Sequence, residues 1–502
     1  MRVLVTGGTG VVGIGTVTEL LARGHSVVLF SRHADTDARQ WVSGVIPLTG
    51  DVADSASVTG AANGCACVLH MVGIVGETGD ATYESVNVGG TAHIVAEAER
   101  AGVPRLVFVS SLGAPVGESD YHRSKSKAES IVRQFDGAWT ICRPGNVYGP
   151  GDEQISQLLR MVRGVSPILP VIGDGDQPFQ PIWWEDVARA LAEIVERSDL
   201  DRRELDLAGP DLTSQNDLIK RLKALTGRDV MSVPVPGFLA SAGAKALSLV
   251  GWDVGLNGSQ LTMLSEGNVI PEGGVNALTE VLSVLPTKLS DGLRVLADQQ
   301  PEQLPDEGIG ELRRKRYWAD IVGHRCTAES LFEEFRQSFD EVTPQFVEAG
   351  AEPGTTSELT EGATVTLALP LRGHVQVRVA ALEPRRATMV TVAGHPLAGA
   401  VRFLCEPRGA ELRFQVEVYE RAATVLDLVA MRTIGDRLQD HTWEQVVVNM
   451  EKRSGGTAPA GVQREQEALT EEEATELTAW LKEITVRRKR EEHAETVAGG
   501  SA

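Results

Sequence analysis

The sequence predicts an α/β chain: a doubly wound parallel sheet with a small substrate lobe, then an α+β domain and a C-terminal helix. Three observations carry that expectation. Over residues 1 to about 300, short β-branched runs alternate with amphipathic stretches, the grammar of βαβ units. Beyond residue 312 strict apolar–polar alternation replaces it, as in an antiparallel meander. The stretch RSGGTAPAG at 453–461 then precedes a single amphipathic helix. The expected boundaries are 1–300, 312–453 and 454–502, the last a flexible linker and helical tail.

The parallel strands are expected at RVLVT (2–6), SVVLF (26–30), CVLHMV (67–72), RLVFVSS (105–111) and WTICRP (139–144), with a helix around Ile94–Ala101. The segment DQQPEQLPDEGIGE at 298–311 holds two prolines and little that can pack, so it reads as a linker. A helix around Ser330–Phe339 follows, then the strands TVTLALPL, HVQVRVAAL, TMVTVAG, VRFLCE and ELRFQVEVYE. Leu428, Met431, Ile434, Leu438 and Val446 lie near helical spacing and predict one long closing helix. Between sheet and helix an apolar ligand is expected in a cavity of roughly 300–1,000 Å³ with mainly aliphatic walls. The alternative is a solid core that serves docking or oligomerisation. In the tail, Thr470 and Glu473 form a capping-box pattern, and Leu477, Trp480, Leu481 and Ile484 mark one face. Arg487, Arg488, Lys489 and Arg490 suit the dipole at the end of that helix, with a partner or lipid contact as the alternative.

Composition narrows the function. Of 502 residues, 69 are acidic and 48 basic, a formal charge of -21 that disfavours binding to nucleic acid or anionic membranes. No apolar run is long enough to span a bilayer, and MRVLVTGGTG lacks a signal-peptide core. Five cysteines cannot staple a chain of this length, so a cytoplasmic home is expected. Cys65 and Cys67 have no second pair or histidine cluster to complete a tetrahedral set, so no metal site is expected and both read as core residues.

The motif TGGTGVVG at 6–13 follows a strand and opens a helix through about Arg23, the arrangement of a Rossmann dinucleotide site. Gly7 permits the turn, Gly10 admits a pyrophosphate, and Gly13 lets helix and strand pack; the amides near Val11 and Val12 then face the phosphates. The second strand ends at Ser31 and Arg32, where an NAD site usually offers an acid. Arginine there favours the 2′-phosphate of NADP, although Asp35 or Asp37 can still serve a ribose and keep NAD open. Asp51 is placed to accept from the adenine amine or to hold a turn. At 121–125 YHRSK puts Tyr121 and Lys125 on one helix face, where an ammonium lowers the phenol's pKa and readies it for general acid–base work.

These residues together resemble the short-chain dehydrogenase/reductase superfamily in its extended or atypical branch, NAD(P)-dependent and epimerase/dehydratase-like. The likeness rests on TGGTGVVG, GDVAD at 50–54, HMVG at 70–73, Asn87 in NVGGT, SSLGA at 110–114, YHRSK, and RPGNVYGPGD at 143–152. It implies that Ser111 (or Ser110) binds the substrate oxygen, Tyr121 transfers the proton, Lys125 holds ribose hydroxyls and Pro144 lies by the nicotinamide. Asn87 is implied as a structural or proton-relay residue. GDQPFQPIWWEDVARAL, LDLAGPDLTSQNDLIKRL, PVPGFLA and QLTMLSEGNVI resemble, within that branch, the nucleotide-binding accessory subunit of respiratory complex I and its bacterial relatives. That subunit holds its nucleotide structurally. Three functions follow: NADP-dependent oxidoreduction of a carbonyl or hydroxyl on a small molecule, a nonenzymatic NADP-binding module, or an epimerase or dehydratase that retains its cofactor. The C-terminal meander and helix resemble the helix-grip fold of the polyketide-cyclase and START-like superfamily, and GHPLAGAVRFL at 394–404 resembles a bacterial family of unknown function with that fold.

Overall fold

The computed structural model describes residues 1–235, 267–344, 346–370, 372–430 and 436–499. Seven parallel strands form the first sheet: β1 (Arg2–Thr6), β2 (Ser26–Ser31), β3 (Val45–Thr49), β4 (Cys67–His70), β5 (Arg105–Val109), β6 (Ala138–Pro144) and β7 (Arg203–Leu207), in the order β7-β6-β5-β4-β1-β2-β3. Their apolar runs are continuous because helices cover both faces. Against one face lie α1 (Val11–Ala22) and the later helix Trp184–Glu196, with Val17, Leu20, Val187 and Leu191 in the core. The other face packs against α2 (Gly90–Arg100) and α3 (Asp120–Val132) through Ile94, Ala98, Ala128 and Val132. Val5 pairs with Leu29 of β2 and Leu69 of β4, so the strand order reverses around β1 and leaves a crevice at the strands' carboxyl ends.

The substrate lobe packs α4 (Ile155–Arg163), α5 (Gln215–Thr226) and α6 (Leu289–Asp298) near two short parallel ladders, 168–172 with 231–235 and 147–148 with 182–183. Parts of the PVPGFLA and QLTMLSEGNVI segments fall within 236–266, outside the described residues.

The second sheet has eight strands: β8 (Ile309–Ile321), β9 (Glu348–Ala349), β10 (Thr364–Leu369), β11 (Gly373–Glu383), β12 (Arg386–Thr391), β13 (Leu397–Arg408), β14 (Glu411–Ala422) and β15 (Gln463–Ala468). Its order is β9-β10-β11-β12-β13-β14-β8-β15, a meander extended by the two flanking strands. On one face α7 (Ala328–Gln337) and α8 (Asp436–Ser454) bury Leu331, Phe335, Val446 and Met450 with strand residues such as Val379 and Phe414. The opposite face meets α9 (Glu471–Gly499) through Leu481 and Ile484, against Ala380, Val390 and Ala400.

Several expectations change. The segment 298–311 is packed: Gln300 is fully buried, and Glu302 pairs with Arg378 at 2.9 Å and with Arg488. Burial pushes the Glu302 carboxyl up, but the Arg378, Lys489 and Arg488 cations outweigh it and hold it at about 2. The stretch 453–461 is also tied down, with Ser454 buried and Thr457 paired to Val322, and β15 beyond it joins the sheet. The capping box forms, Thr470 N–H donating to Glu473 Oε2 at 2.9 Å. The basic run lies inside α9 rather than at its end: Arg488 serves Glu302, and Arg490 Nε donates to the Arg39 carbonyl at 2.9 Å. The run is a docking element for the first domain, where His493 stacks on Trp41 at 5.5 Å. Of the expected closing helix the described residues hold Val425–Ala430 and α8; Leu428 packs near Gly310, and Met431 and Ile434 lie outside the described residues. Between α8 and the sheet is a cavity of about 190 Å³, below the expected range, with Phe339, Phe346, Phe403, Tyr419 and Trp443 beside its aliphatic walls.

Candidate active site

Each element around the crevice contributes at its carboxyl-end loop. Gly7 holds a φ of +75°, and a Cβ there would lie 3.0 Å from the Met71 and Val72 main chain. A Cβ on Gly13 would collide with the Gly7 carbonyl oxygen, whereas one on Gly10 would meet nothing nearer than 3.6 Å. Gly10 is the N-cap of α1 and no side chain caps it, so the first-turn amides at Val11 and Val12 remain for an anion. That open, uncapped turn fits a pyrophosphate.

At the end of β2, Ser31 donates to Asp37 Oδ2 at 2.7 Å, and Thr49 donates to Asp35 at 3.3 Å. Both acids offered for the ribose therefore already accept from neighbours. Arg32 is exposed, and no acid pairs with it among the described residues. Asp51 caps its own turn, Oδ1 accepting from Ala53 N–H at 2.9 Å.

Tyr121 stands in the first turn of α3, whose start is fixed by Ser119 accepting from His122 N–H at 3.2 Å. Its phenol is the hydrogen-bond partner of Ser111. Ser110 N–H bonds the Cys142 carbonyl at 2.7 Å and Leu112 N–H the Pro144 carbonyl at 2.9 Å, so β6 holds Ser111 in place beside Pro144. The two serines separate cleanly. Ser110 donates to Glu129 Oε1 at 2.7 Å, within a buried cluster where Arg143 grips Glu129 through Nε and Nη2 at 2.7 and 2.6 Å. Only Ser111 meets the tyrosine.

Lys125, one turn on, is buried; its Nζ donates to the Val109 carbonyl at 3.1 Å and lies 5.3 Å from the Phe108 ring centroid. Burial lowers it to about 8, while the Glu129 charge acts the other way. The phenol does not follow the expected direction. Burial pushes Tyr121 up to about 12, the Ser111 bond offsets part of this, and Tyr83 adds to the rise. Protein alone thus keeps Tyr121 protonated, the state of a general acid.

Asn87 is buried with both ends engaged: Oδ1 accepts from Ile74 N–H at 2.8 Å, and Nδ2 donates to the Ile74 carbonyl and to Ser124 Oγ at 3.1 and 2.9 Å. It ties the loop after β4 to α3, a structural clamp. Sequence reasoning passed over Gly73 and Tyr83. A Cβ at Gly73 would sit 2.5 Å from Lys125 Nζ, so the missing side chain makes room for the ammonium. Tyr83 donates to the Val75 carbonyl at 2.9 Å and sets its ring edge against Tyr121. Both depend on contacts remote in sequence; the glycine ending HMVG was the one visible signal.

Residues 3–206 match the NAD dependent epimerase/dehydratase family. That stretch runs from β1 to β7, so it is the parallel-sheet domain that is similar to the family. Its members typically use NAD or NADP. An uncharacterized protein of Mycobacterium tuberculosis is 27% identical over 47% of this chain and 24% of its own length. A 2-alkyl-3-oxoalkanoate reductase of Stenotrophomonas maltophilia is 32% identical over 38% of this chain and 64% of its own. Mitochondrial subunit 9 of the NADH dehydrogenase (ubiquinone) 1 alpha subcomplex of Arabidopsis thaliana is 29% identical over 43% of this chain and 55% of its own. The chain therefore spans less than two thirds of each of these relatives.

Proposed function

We propose that the parallel-sheet domain is an NADP-dependent oxidoreductase that reduces a carbonyl, or oxidises the corresponding alcohol, on a small molecule. The observation that carries the reading is the Ser111–Tyr121 hydroxyl pair at the carboxyl ends of β5 and β6, with the phenol held protonated. When bound, the cofactor supplies the hydride. Ser111 would orient the substrate oxygen, and Tyr121 Oη would give it a proton in the reductive direction. Lys125 would hold ribose hydroxyls, the Val11 and Val12 amides the pyrophosphate, Asp51 the adenine amine, and Pro144 the nicotinamide face. Arg32 and Ser31 would take the 2′-phosphate, the reason for preferring NADP over NAD. Five unpaired cysteines support a reducing, cytoplasmic setting.

One feature favours a second reading, a module that binds the nucleotide without turning it over: the Lys125 ammonium is committed to Val109. Turnover separates the two. Tyr121→Phe should retain NADPH binding and lose at least about a hundredfold in reduction of a small-ketone panel; wild-type protein that binds NADPH yet never oxidises it with any ketone supports the module. Arg32→Ala should weaken NADPH about ten- to a hundredfold and leave NADH nearly unchanged, measured by fluorescence titration. A wild-type preference for NADH would remove Arg32 from this role.

A further inference from the structure

The helix α9 belongs to the second domain yet reaches the nucleotide half of the first. Leu481 and Ile484 seat it on the antiparallel sheet, and Arg488 joins it to Glu302. Beyond that anchor it packs beside α1 and against the 3-10 turn Ala38–Gln40. The last carbonyls of a helical turn find no donor within it, and α9 supplies two. Arg490 Nε donates to the Arg39 carbonyl at 2.9 Å. His493 Nδ1 lies 3.0 Å from the Gln40 carbonyl, which can only accept, so this ring nitrogen carries a proton. The same ring stacks on Trp41, whose Nε1 donates to Thr18 Oγ1 of α1 at 3.0 Å. From the turn, the bonds run back to the end of β2. Gln40 Nε2 donates to the Asp37 carbonyl at 3.1 Å, Asp37 N–H to the His33 carbonyl at 2.9 Å, and Ser31 Oγ to Asp37 Oδ2 at 2.7 Å. Arg32 sits within this run of bonds, exposed and paired with no acid among the described residues.

We propose that Arg490 and His493 are positioning residues for the nucleotide: α9 holds the segment 32–41 in the shape in which Ser31 and Arg32 meet the 2′-phosphate. This rests on the proposed NADP preference and extends it, because the second domain then sets how tightly the first binds that phosphate. A segment fixed before the nucleotide arrives loses less conformational freedom on binding. The effect falls on the 2′-phosphate rather than on the whole nucleotide. The pyrophosphate is left to the amides of α1, and Asp35 and Asp37, the acids of the segment, already accept from Thr49 and Ser31. Such coupling is reciprocal: bound NADPH tightens the docking of α9 by the factor by which docked α9 tightens NADPH.

The test titrates the full-length protein with NADPH and with NADH at one ionic strength. Arg490→Ala combined with His493→Ala should weaken NADPH about five- to tenfold and NADH less than about twofold, the lower end of coupling between two sites. Arg487→Ala removes the same charge from an exposed position one turn earlier on α9 and should leave the NADPH-to-NADH ratio as in wild type. In wild-type protein, NADPH should slow hydrogen exchange across 33–41 and across 488–497 of α9, whereas NADH should leave α9 as it was. A ratio unchanged in the double variant would overturn the proposal. So would an equal fall in Arg487→Ala, which would assign the effect to charge alone, or exchange in α9 that NADPH does not alter. Wild-type protein without NADPH affinity would overturn the nucleotide reading and this inference with it, an outcome distinct from tight NADPH binding with an unchanged ratio.

Discussion

Each sheet keeps a tyrosine and a lysine inside the protein, and the two couples are connected differently. On α3 Tyr121 and Lys125 are four residues apart and touch mainly neutral groups: a serine hydroxyl, a main-chain carbonyl, an aromatic ring. On β8 Lys315 and Tyr317 are two apart, on one strand face, and both end on carboxylates. Lys315 meets Glu420 at 3.0 Å and Gln439 Oε1 at 2.7 Å, while Tyr317 donates to Asp440 Oδ1 at 2.5 Å. Burial and the Asp440 carboxylate both push Tyr317 upward. The second couple is satisfied within the protein and fastens α8 to the sheet. The first keeps a polar capacity that only a bound molecule can use. The partners, more than the pair itself, separate a reactive couple from a structural one.

The largest test of that contrast removes each lysine. Lys315→Met leaves the buried Glu420 with Arg313 as its remaining cation and should cost about 2–3 kcal/mol in urea melts, less than a fully stranded charge, with NADPH affinity unchanged in the folded fraction. Lys125→Met strands no charge; its stability should stay within about 1 kcal/mol of wild type or rise, while cofactor binding and turnover fall. If Lys125→Met proves the more destabilising of the two, the contrast fails. The tyrosines should differ less. Tyr317→Phe deprives a carboxylate of its donor and should cost about 1.5–3 kcal/mol, against under about 1 kcal/mol for Tyr121→Phe. Equal melts for the two variants would make Tyr121 as structural as Tyr317.

The smallest effect is in pH. Because burial lowers Lys125 to about 8, the native chain binds fewer protons than the unfolded one from there up to the ordinary lysine range. Stability should therefore rise with pH across that interval, and the rise should be smaller in Lys125→Met. Over the same interval the ammonium is lost, so NADPH affinity should fall in wild type and stay flat in Lys125→Met, as isothermal titration at stepped pH would show.

Much of the first sheet was legible because buried parallel strands are apolar throughout and the glycine motif has a steric reason at each position. The strand RVLVT and β1 coincide at residues 2–6, and TGGTGVVG opens α1 at Val11. The meander was legible through its period of two. The strand β8 was not, because IGELRRKRYWADI spends its polar positions on cross-strand acids of β14 and β15 and so lacks a solvated appearance. The choice between Ser110 and Ser111 depended on Glu129, a residue on another element. Tyr121's direction was misjudged for a like reason: helical spacing puts Lys125 on its face, yet the burial that dominates both groups is set by tertiary packing.

The docking of α9 has a consequence for how the chain is made. His493 bonds the Gln40 carbonyl across 453 residues of sequence. At ribosomal speeds of about 5–20 residues per second, that interval is roughly 20–90 s. Throughout it the parallel-sheet domain emerges with Trp41, which packs on α1 through Thr18, not yet covered by α9; Trp41 is 5% exposed once α9 has docked. The nascent first domain is therefore a distinct species, stickier than the finished one, and α9, which leaves the ribosome long after it, is the helix that ends its exposure.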